Sequence, residues 1–563
     1  MNRADVKRLW LLVGGLALVA AGCREERDLP VTYTFEPPPS IQEVSQTPTS
    51  VGPADLLRLS ITVAGGSRGA LSFSWTTNAG VLGTPVDGTS RSEVVWTSPS
   101  CLPADVKPKV TVMVTDTQKR SASHTFEISW TGPVCTQAQC PFSLGAERLA
   151  LEADCTTDSP LFVPDGYTFD GQGHTVTAVN PSGGRFTGAV IRNKGGTARV
   201  RGVSVTASGL TDPCESGAAR LRGILLEGAT GEVVDSEVRD LNRGLDTSGC
   251  QEGFGIEVRN DDASRGSLKV DVLRNRVSGY QKLGILVTGA VEVNLEGNTV
   301  DGRGPVAHIA RNGIQVSNGA RGRVTGNTVS GNAYTGPAVN TTSAGILVAG
   351  GSAYGQSLVT GLVIEGNTLT DNDVGISLSQ YEGEAFEPPA EKTLIRVAGN
   401  DVRHGGAVLN PYYQAAISDS GTGNIITANL FSGAGYTRDE SRHLYDIDVS
   451  PTKSASRLVF LTSAQDFAMG ACSGKVTVQS QDENGNLVRP ADPDAFTVAA
   501  SGVAASGVTF YTDAGCTESL TTLNLSNPQA EASFFIRSSQ PGAATVEVSG
   551  GGLSTASQAA TIR

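Results

Sequence analysis

Aromatic and basic side chains gather in stretches of the second half of the chain that read as loops. Arg403 and His404 lie close to Tyr412 and Tyr413 in the sequence, and Tyr334 lies in a similar stretch upstream. Sugar rings stack on aromatic side chains, and arginine forks bind carboxylates. We therefore predict a groove for a polysaccharide or a cell-surface glycan, although loops on repeat proteins are often simply polar. The predicted binding residues are Tyr334, Tyr381, Tyr412, Tyr413 and Arg403.

An enzyme acting on acidic sugars is the alternative interpretation. Its candidate catalytic residues are Arg403, His404, Glu382 and Asp439. Hydrolysis needs two carboxylates that face one bond, and a lyase needs a base beside the substrate proton. The adjacent Asp261 and Asp262 would point in opposite directions in a strand, and no carboxylate cluster shares a repeat phase with Arg403. We favour a non-catalytic binding module, and a polysaccharide lyase, glycoside hydrolase or epimerase stays open.

An internal repeat dominates the middle of the chain. A Gly-Ile pair recurs at Gly223, 255, 284, 313, 345 and 375, at intervals of 32, 29, 29, 32 and 30 residues. A second motif, Gly-Asn-x-Val or a close relative, follows each pair, as at Asn298, Asn327, Asn367 and Asn400. Repeats of this length predict a solenoid, because one turn cannot bury its apolar face until it stacks on its neighbours.

The repeated asparagines have a structural interpretation. Asn tolerates the left-handed backbone conformation better than other non-glycine residues, so we expect it to form the same bend in each turn. Stacked Asn side chains also form hydrogen-bonded ladders. The spacing from Gly-Ile to Asn grows from 14 residues after Gly284 to 22 after Gly345 and 25 after Gly375. The extra residues predict loops that project from one edge of successive turns.

These repeats resemble the right-handed parallel β-helix superfamily, in its pectate-lyase-like and NosD-like branch. The stretch from Asp170 through His174 to Val176 is similar to the opening coil of that family. The resemblance implies an all-β chain with a parallel β-helix. It does not imply one function, since this fold serves lyases, hydrolases, epimerases, adhesins and binding proteins.

The regions on either side of the repeats alternate apolar and polar residues over short runs, which is typical of β-sandwiches. They resemble immunoglobulin-like domains, the first of the PKD or cadherin-like kind and the second of a bacterial kind. Trp75 and Trp96 are predicted to pack in the first core. The predicted organisation is a signal peptide (1–22), a tether (23–40), a sandwich (41–134), the β-helix (135–450) and a second sandwich (451–563).

The start of the chain predicts export and a lipid anchor. A short basic stretch and an apolar run end in Ala20-Ala21-Gly22-Cys23, which resembles a bacterial lipobox. Lipidation of Cys23 would place the protein outside the cytoplasm, at the outer membrane or cell surface, with the anchor as its only membrane contact. The net charge of −13 argues against nucleic acid as a partner, because phosphate contacts need Lys and Arg.

Eight further cysteines in an exported chain favour disulfides. Local pairing suggests Cys140–Cys155, Cys214–Cys250 and Cys472–Cys516, which leaves the connectivity of Cys101 and Cys135 open. None has the spacing of a metal site, and no cofactor is predicted. The Asp482-Glu-Asn stretch could contact Ca²⁺, but a hairpin turn is the preferred interpretation.

Overall fold

The computed structural model describes residues 36–563 apart from 67–70, 135–139, 212, 245–248, 340, 451–453 and 495. The predicted signal peptide, most of the tether, Cys23 and Cys135 lie outside the described residues. In the described part of the chain, no helix is long and apolar enough to cross a membrane. The helical elements of these residues are six 3-10 turns: Gly217–Ala219, Ala263–Arg265, Ser352–Tyr354, Ala434–Tyr436, Glu440–Arg442 and Ala505–Gly507.

The central region is a parallel β-helix whose coils each pass through three sheets. We call them the Gly-Ile sheet, the pre-Asn sheet and the post-Asn sheet, in the order in which a coil meets them. The Gly-Ile sheet contains Leu161–Val163, Ala189–Asn193, Arg222–Glu227, Phe254–Asn260, Leu283–Gly289, Asn312–Ser317, Ala344–Gly350, Val374–Gln380, Gln414–Asp419 and Leu444–Val449.

The other two sheets complete each coil. The pre-Asn sheet contains Phe142–Gly145, Arg148–Leu151, Thr168–Asp170, Thr197–Arg201, Thr230–Val234, Leu268–Leu273, Val291–Glu296, Arg321–Thr325, Val363–Glu365, Arg396–Ala398 and Ile425–Thr427. The post-Asn sheet contains Cys155–Thr157, Thr175–Ala178, Ser204–Ala207, Glu237–Arg239, Arg276–Ser278, Thr299–Asp301, Thr328–Ser330, Thr368–Thr370, Asp401–Arg403 and Leu430–Ser432. Apart from the antiparallel pair Phe142–Gly145 and Arg148–Leu151, neighbouring strands are parallel.

The Gly-Ile motif is explained by packing inside the coils. Its isoleucines pair in register from Ile191 to Ile447 and are buried in one continuous core. From Ile224 to Ile376 each isoleucine follows a glycine, and that glycine lies against the next coil. A Cβ on Gly284 would come within 2.4 Å of the Gly313 carbonyl oxygen and 2.5 Å of a Val300 methyl carbon. Glycine is therefore needed for close approach between coils, which fixes the motif.

The predicted asparagine ladder is confirmed. Asn275, Asn298, Asn327, Asn367, Asn400 and Asn429 are all buried. From Asn298 onward, each side-chain oxygen accepts hydrogen bonds from the backbone N–H and the side-chain amide of the asparagine one coil earlier, as between Asn298 and Asn327 at 2.9 Å each. The prediction that Asn itself adopts the left-handed conformation is wrong. The residue before it does so, for example Gly297 at φ +65° and Arg274 at φ +54°, and this leaves the Asn free to form the ladder.

The N-terminal region forms its own β-structure around Trp96, which is fully buried, and Trp75 packs against the same core. Its strands are Ser40–Thr47, Leu56–Ala64, Arg91–Thr97, Val81–Leu82 and Val86–Asp87 in one sheet, Ser72–Thr77, Lys109–Thr115 and Ser121–Glu127 in a second, and the pair Ser50–Val51 and Ser129–Trp130.

The C-terminal sheet has a separate core and closes the end of the β-helix. Its strands are Phe496–Ser501, Gly542–Gly550, Leu553–Ile562, Arg457–Phe460, Val476–Gln481, Glu531–Ser538 and Val508–Tyr511, with Gln465–Phe467 beside Leu553–Ile562. Gln529 accepts hydrogen bonds from the backbone N–H and side-chain amide of Asn429, at 2.7 and 3.1 Å. Glu531 accepts from the Thr427 hydroxyl and the Ala428 N–H. Gln529 thus takes the place of the next asparagine in the ladder.

The three predicted disulfides are confirmed as Cys140–Cys155, Cys214–Cys250 and Cys472–Cys516. The first joins the opening coil of the β-helix, and the third lies in the C-terminal sheet. Among the described residues, one group has metal-ligand geometry, and it consists of Cys214, Cys250 and Glu252. Two of its members are the disulfide pair, so their sulfurs are not thiolate ligands.

Replacing Asn327 with Ala should lower the free energy of unfolding of the β-helix by about 3 kcal/mol, since it leaves the buried backbone N–H of Asn298 without an acceptor and removes the side-chain hydrogen bonds to Asn298 and Asn367. Urea unfolding compared with Thr328→Ala, at the exposed next position, measures this effect. Equal urea midpoints for the two variants would contradict a contribution of the asparagine ladder to stability.

Candidate functional site

Two sets of loops border the outer face of the Gly-Ile sheet. Exit loops leave the Gly-Ile strands towards the pre-Asn sheet, and the long ones are 261–267, 351–362 and 381–395. Entry loops lead from the post-Asn sheet back to the Gly-Ile strands and include 302–311, 331–343, 404–413 and 433–443. We call the outer face between them the trough, and it follows the helix axis because the Gly-Ile strands stack along that axis. The prediction of long loops after Gly255, Gly345 and Gly375 agrees with the exit loops.

Adjacent exit loops bring three aromatic rings together. Tyr354 ends a 3-10 turn after one Gly-Ile strand, and Tyr381 and Phe386 follow the next strand. Ring centroids are 6.1 Å apart for Tyr354 and Tyr381, and 5.7 Å apart from each of these to Phe386. Tyr354 is 42% exposed and Phe386 is 50% exposed, so both present ring surface to solvent. We call Tyr354, Tyr381 and Phe386 the aromatic platform.

Backbone hydrogen bonds hold the aromatic platform in place. Ala353 N–H donates to the Tyr381 carbonyl at 3.2 Å, which joins the two loops. Glu382 and Glu387 exchange two backbone hydrogen bonds, at 2.8 and 3.0 Å, and so close a tight turn that carries Phe386. Phe386 has φ +55°, a left-handed conformation that is costly for a bulky residue. Such strain at an exposed position is typical of functional loops.

The predicted entry-loop residues are mostly held inside the protein. Tyr334 is buried, and its hydroxyl accepts a hydrogen bond from Ala338 N–H at 3.2 Å. His404 is 3% exposed and lies edge-on against Tyr436, with ring centroids 5.4 Å apart. Burial lowers the pKa of His404, although nearby Asp371 opposes this effect. Neither Tyr334 nor His404 presents a free surface to a polysaccharide.

Tyr412 and Tyr413 are half-buried at the entry-loop edge. The Tyr412 hydroxyl donates to the Pro337 carbonyl at 2.8 Å, and the Tyr413 hydroxyl donates to Asp448 at 2.7 Å. Tyr413 also packs against Tyr445, with centroids 5.6 Å apart. These two tyrosines form a wall of the trough rather than an open platform.

The four candidate catalytic residues are not brought together. Arg403 lies on a post-Asn strand and pairs with Asp401, 2.7 Å from Nε to Oδ1. Glu382 belongs to an exit loop and accepts from Ala390 N–H. Asp439 belongs to an entry loop and accepts from the N–H and hydroxyl of Ser441. His404 is buried. Arg403 and Glu382 lie on different edges of the coil and share no cleft.

Sequence reasoning named Tyr381 and missed its partners. Tyr354 and Phe386 lie in loops that were predicted to project from one edge of successive turns, but spacing along the chain does not reveal that their rings meet. The signal available was that the two longest exit loops, 351–362 and 381–395, each carry aromatic residues.

Residues 168–437 match the family model described as "Right handed beta helix region". This part of the chain is a right-handed parallel β-helix, flanked by all-β regions, and the predicted fold class is confirmed. No curated protein matches the chain. Among solved structures, a β-glucuronidase from Parabacteroides merdae is similar over 93% of this chain and 78% of that chain, at 8% identity and a TM-score of 0.16. So low a score supports no conclusion about function.

A buried carboxylate organises the entry loops. Asp373 accepts hydrogen bonds from Tyr334 N–H at 2.8 Å, Ser343 N–H at 2.9 Å and the Asn410 amide at 3.1 Å. Asn410 in turn accepts from the N–H groups of Tyr412 and Tyr413. Burial raises the pKa of Asp373 to about 6, against the lowering effect of its hydrogen bonds.

The pKa of Asp373 predicts a pH-dependent stability. A carboxyl whose pKa is raised on folding stabilises the native state below pH 4 relative to higher pH, and this contribution is lost as pH rises through 6. The unfolding free energy of the native protein minus that of Asp373→Asn should therefore fall by up to about 3 kcal/mol between pH 4 and 7. Denaturation series at several pH values measure it, with the exposed Asp105→Asn as control. If the difference in unfolding free energy stays constant with pH, the pKa of Asp373 is not raised by folding.

Proposed function

We propose that this protein is a lipid-anchored extracytoplasmic β-helix that binds polysaccharide in the trough on the outer face of its Gly-Ile sheet. The observation that carries the proposal is the aromatic platform of Tyr354, Tyr381 and Phe386. Exposed rings on tightly bonded loops offer apolar faces to sugar rings at a small entropic cost. The trough runs along the helix axis, and a chain-like ligand fits such a shape.

The backbone of Phe386 supports a binding role. A bulky residue in the left-handed region costs roughly 1–2 kcal/mol, and a half-exposed ring recovers little of this by burial. A glycine would satisfy the turn better. A strained, exposed phenylalanine at this position is explained if its ring contacts a ligand.

A binding role is favoured over the enzymatic alternative by the positions of the candidate catalytic residues. Glu382 and Asp439 each accept hydrogen bonds within their own loops, and Arg403 is paired on the post-Asn sheet. A hydrolase would need two carboxylates roughly 5–9.5 Å apart across one sugar bond. The proposed protein holds a glycan without cleaving it.

Replacing Phe386 with Gly should weaken glycan binding at least about tenfold, because loss of a central aromatic anchor costs more than about 1.4 kcal/mol. The same change should leave thermal stability equal or higher, since it relieves the strained turn. A glycan array probed with the chain from residue 24 onward identifies the glycan, and calorimetry on the best glycan compares the variants.

The matched control for Phe386→Gly is Leu430→Ala, which removes an exposed apolar side chain from the post-Asn sheet. The control should bind as the native protein does. If Phe386→Gly keeps full affinity, or if both variants lose it equally, the aromatic platform is not the binding surface. Cleavage products, detected as new reducing ends or absorbance at 235 nm, would favour the enzyme.

Cells expressing the full chain and fed a labelled fatty acid should incorporate the label, and Cys23→Ser should abolish it. The reason is that the lipobox cysteine supplies the acylated group. A chain with Cys101→Ser is the control and should label normally. Equal labelling of the Cys23→Ser variant would remove the anchor from the proposal.

A further inference from the structure

A second feature of the trough adjoins the aromatic platform on its N-terminal side. Here the outer face of the Gly-Ile sheet forms a cavity of about 410 Å³. Its floor is a small apolar cluster of Phe254, Leu283 and Leu286. Its walls come from both sets of loops, with Arg220 and Lys282 on the entry side and Gln356 on the exit side. Gln356 is two residues from Tyr354, so the cavity and the aromatic platform share one loop.

Arg220 is a cation without a carboxylate partner among the described residues. Its guanidinium carbon lies 4.9 Å from the centre of the Phe254 ring. Its Nε is buried and donates no hydrogen bond to the described part of the protein. Glu257, in the same cavity, is held by Arg222 and Arg259 instead.

Lys282 is a second cation in the cavity. Its ammonium donates to the Ala310 carbonyl at 2.6 Å and forms no ion pair with a described carboxylate. Burial alone lowers the pKa of Lys282 to about 8. An anion placed beside it would restore the charged form and offset this desolvation.

The charges around the cavity leave an excess of positive charge. Three cations line it, Arg220, Arg259 and Lys282, against the two carboxylates Glu257 and Asp261. Both carboxylates form ion pairs with Arg259, whereas Arg220 and Lys282 form none with a described carboxylate. The chain as a whole carries −13, so its overall field repels polyanions. A local pair of cations over an apolar floor, in an acidic protein, is suited to one anionic group attached to a sugar ring.

We propose that Arg220 and Lys282 bind the carboxylate or sulfate group of an anionic glycan, and that Phe254 and Leu286 support its sugar ring. The inference rests on the proposed glycan-binding function and names the class of glycan. The guanidinium offers a planar fork of donors and the ammonium offers a point charge, and both suit an oxyanion.

The aromatic platform completes the specificity. Three strand spacings separate Lys282 from Tyr381 along the axis, or about 14 Å. Around the platform, Glu382, Glu384 and Glu387 disfavour a second negative charge. The preferred glycan therefore has an anionic group at the cavity and uncharged rings at the platform, so its charges are spaced rather than continuous.

Three polymers with one backbone test the proposal: dextran, sparsely substituted carboxymethyl-dextran and sparsely substituted dextran sulfate. The native chain should bind at least one anionic form at least tenfold more tightly than dextran, and the comparison of the two separates carboxylate from sulfate. The double variant Arg220→Gln with Lys282→Gln should lose this preference. Arg321→Gln, which removes an exposed cation from the pre-Asn sheet, is the matched control and should retain it.

A measurement on the native chain tests the proposal even if the double variant does not fold. Calorimetry of the anionic polymer at pH 8 in two buffers of different ionisation heat should show uptake of a fraction of a proton as Lys282 becomes fully charged. Equal binding of dextran and the anionic forms, or equal losses in the double variant and Arg321→Gln, would overturn the cation site. If neutral glycans bind through the aromatic platform, the proposed function survives that result. If no glycan binds at all, both fall.

Discussion

Register between coils is the constraint on which the rest of this structure depends. A single coil buries little, because each of its three strands has an apolar side that only the neighbouring coils and the opposing sheets cover. The isoleucine column and the asparagine ladder fix how far each coil turns before it pairs with the next. Loop positions on the outer face are then set by the same register. The aromatic platform exists because two exit loops leave strands that are paired residue for residue.

At the C-terminal end of the β-helix, residues of the C-terminal sheet provide the pairing that a further coil would give. Gln529 continues the asparagine ladder for one further step, and Glu531 accepts hydrogen bonds from the last coil. Gln479 donates to the Ile426 carbonyl from the same C-terminal sheet. An uncovered end would offer unpaired strand edges, which promote aggregation. The C-terminal sheet therefore acts as a cap as well as a domain with its own core.

The fold was predictable from the sequence because its determinants are periodic. Gly284 and Asn298 each perform the same task as their equivalents one coil away, so spacing alone reveals them. The left-handed position before the Asn was misassigned, since several residue types occupy it. The candidate site was harder to predict from the sequence. Tyr381 was named. Arg220 and Lys282 matter because they form no ion pair with a described carboxylate, and a sequence does not show which charges are paired.

The central claim is that the trough on the Gly-Ile sheet holds the glycan. Hydrogen exchange of the native chain, with and without a saturating glycan, tests it most directly. The account predicts slower exchange in loops 351–362 and 381–395 and in the strands Leu283–Gly289 and Asn312–Ser317. Exchange on the post-Asn sheet, from Thr299–Asp301 to Asp401–Arg403, should not change. Protection confined to the post-Asn sheet or to the flanking sheets would contradict the account.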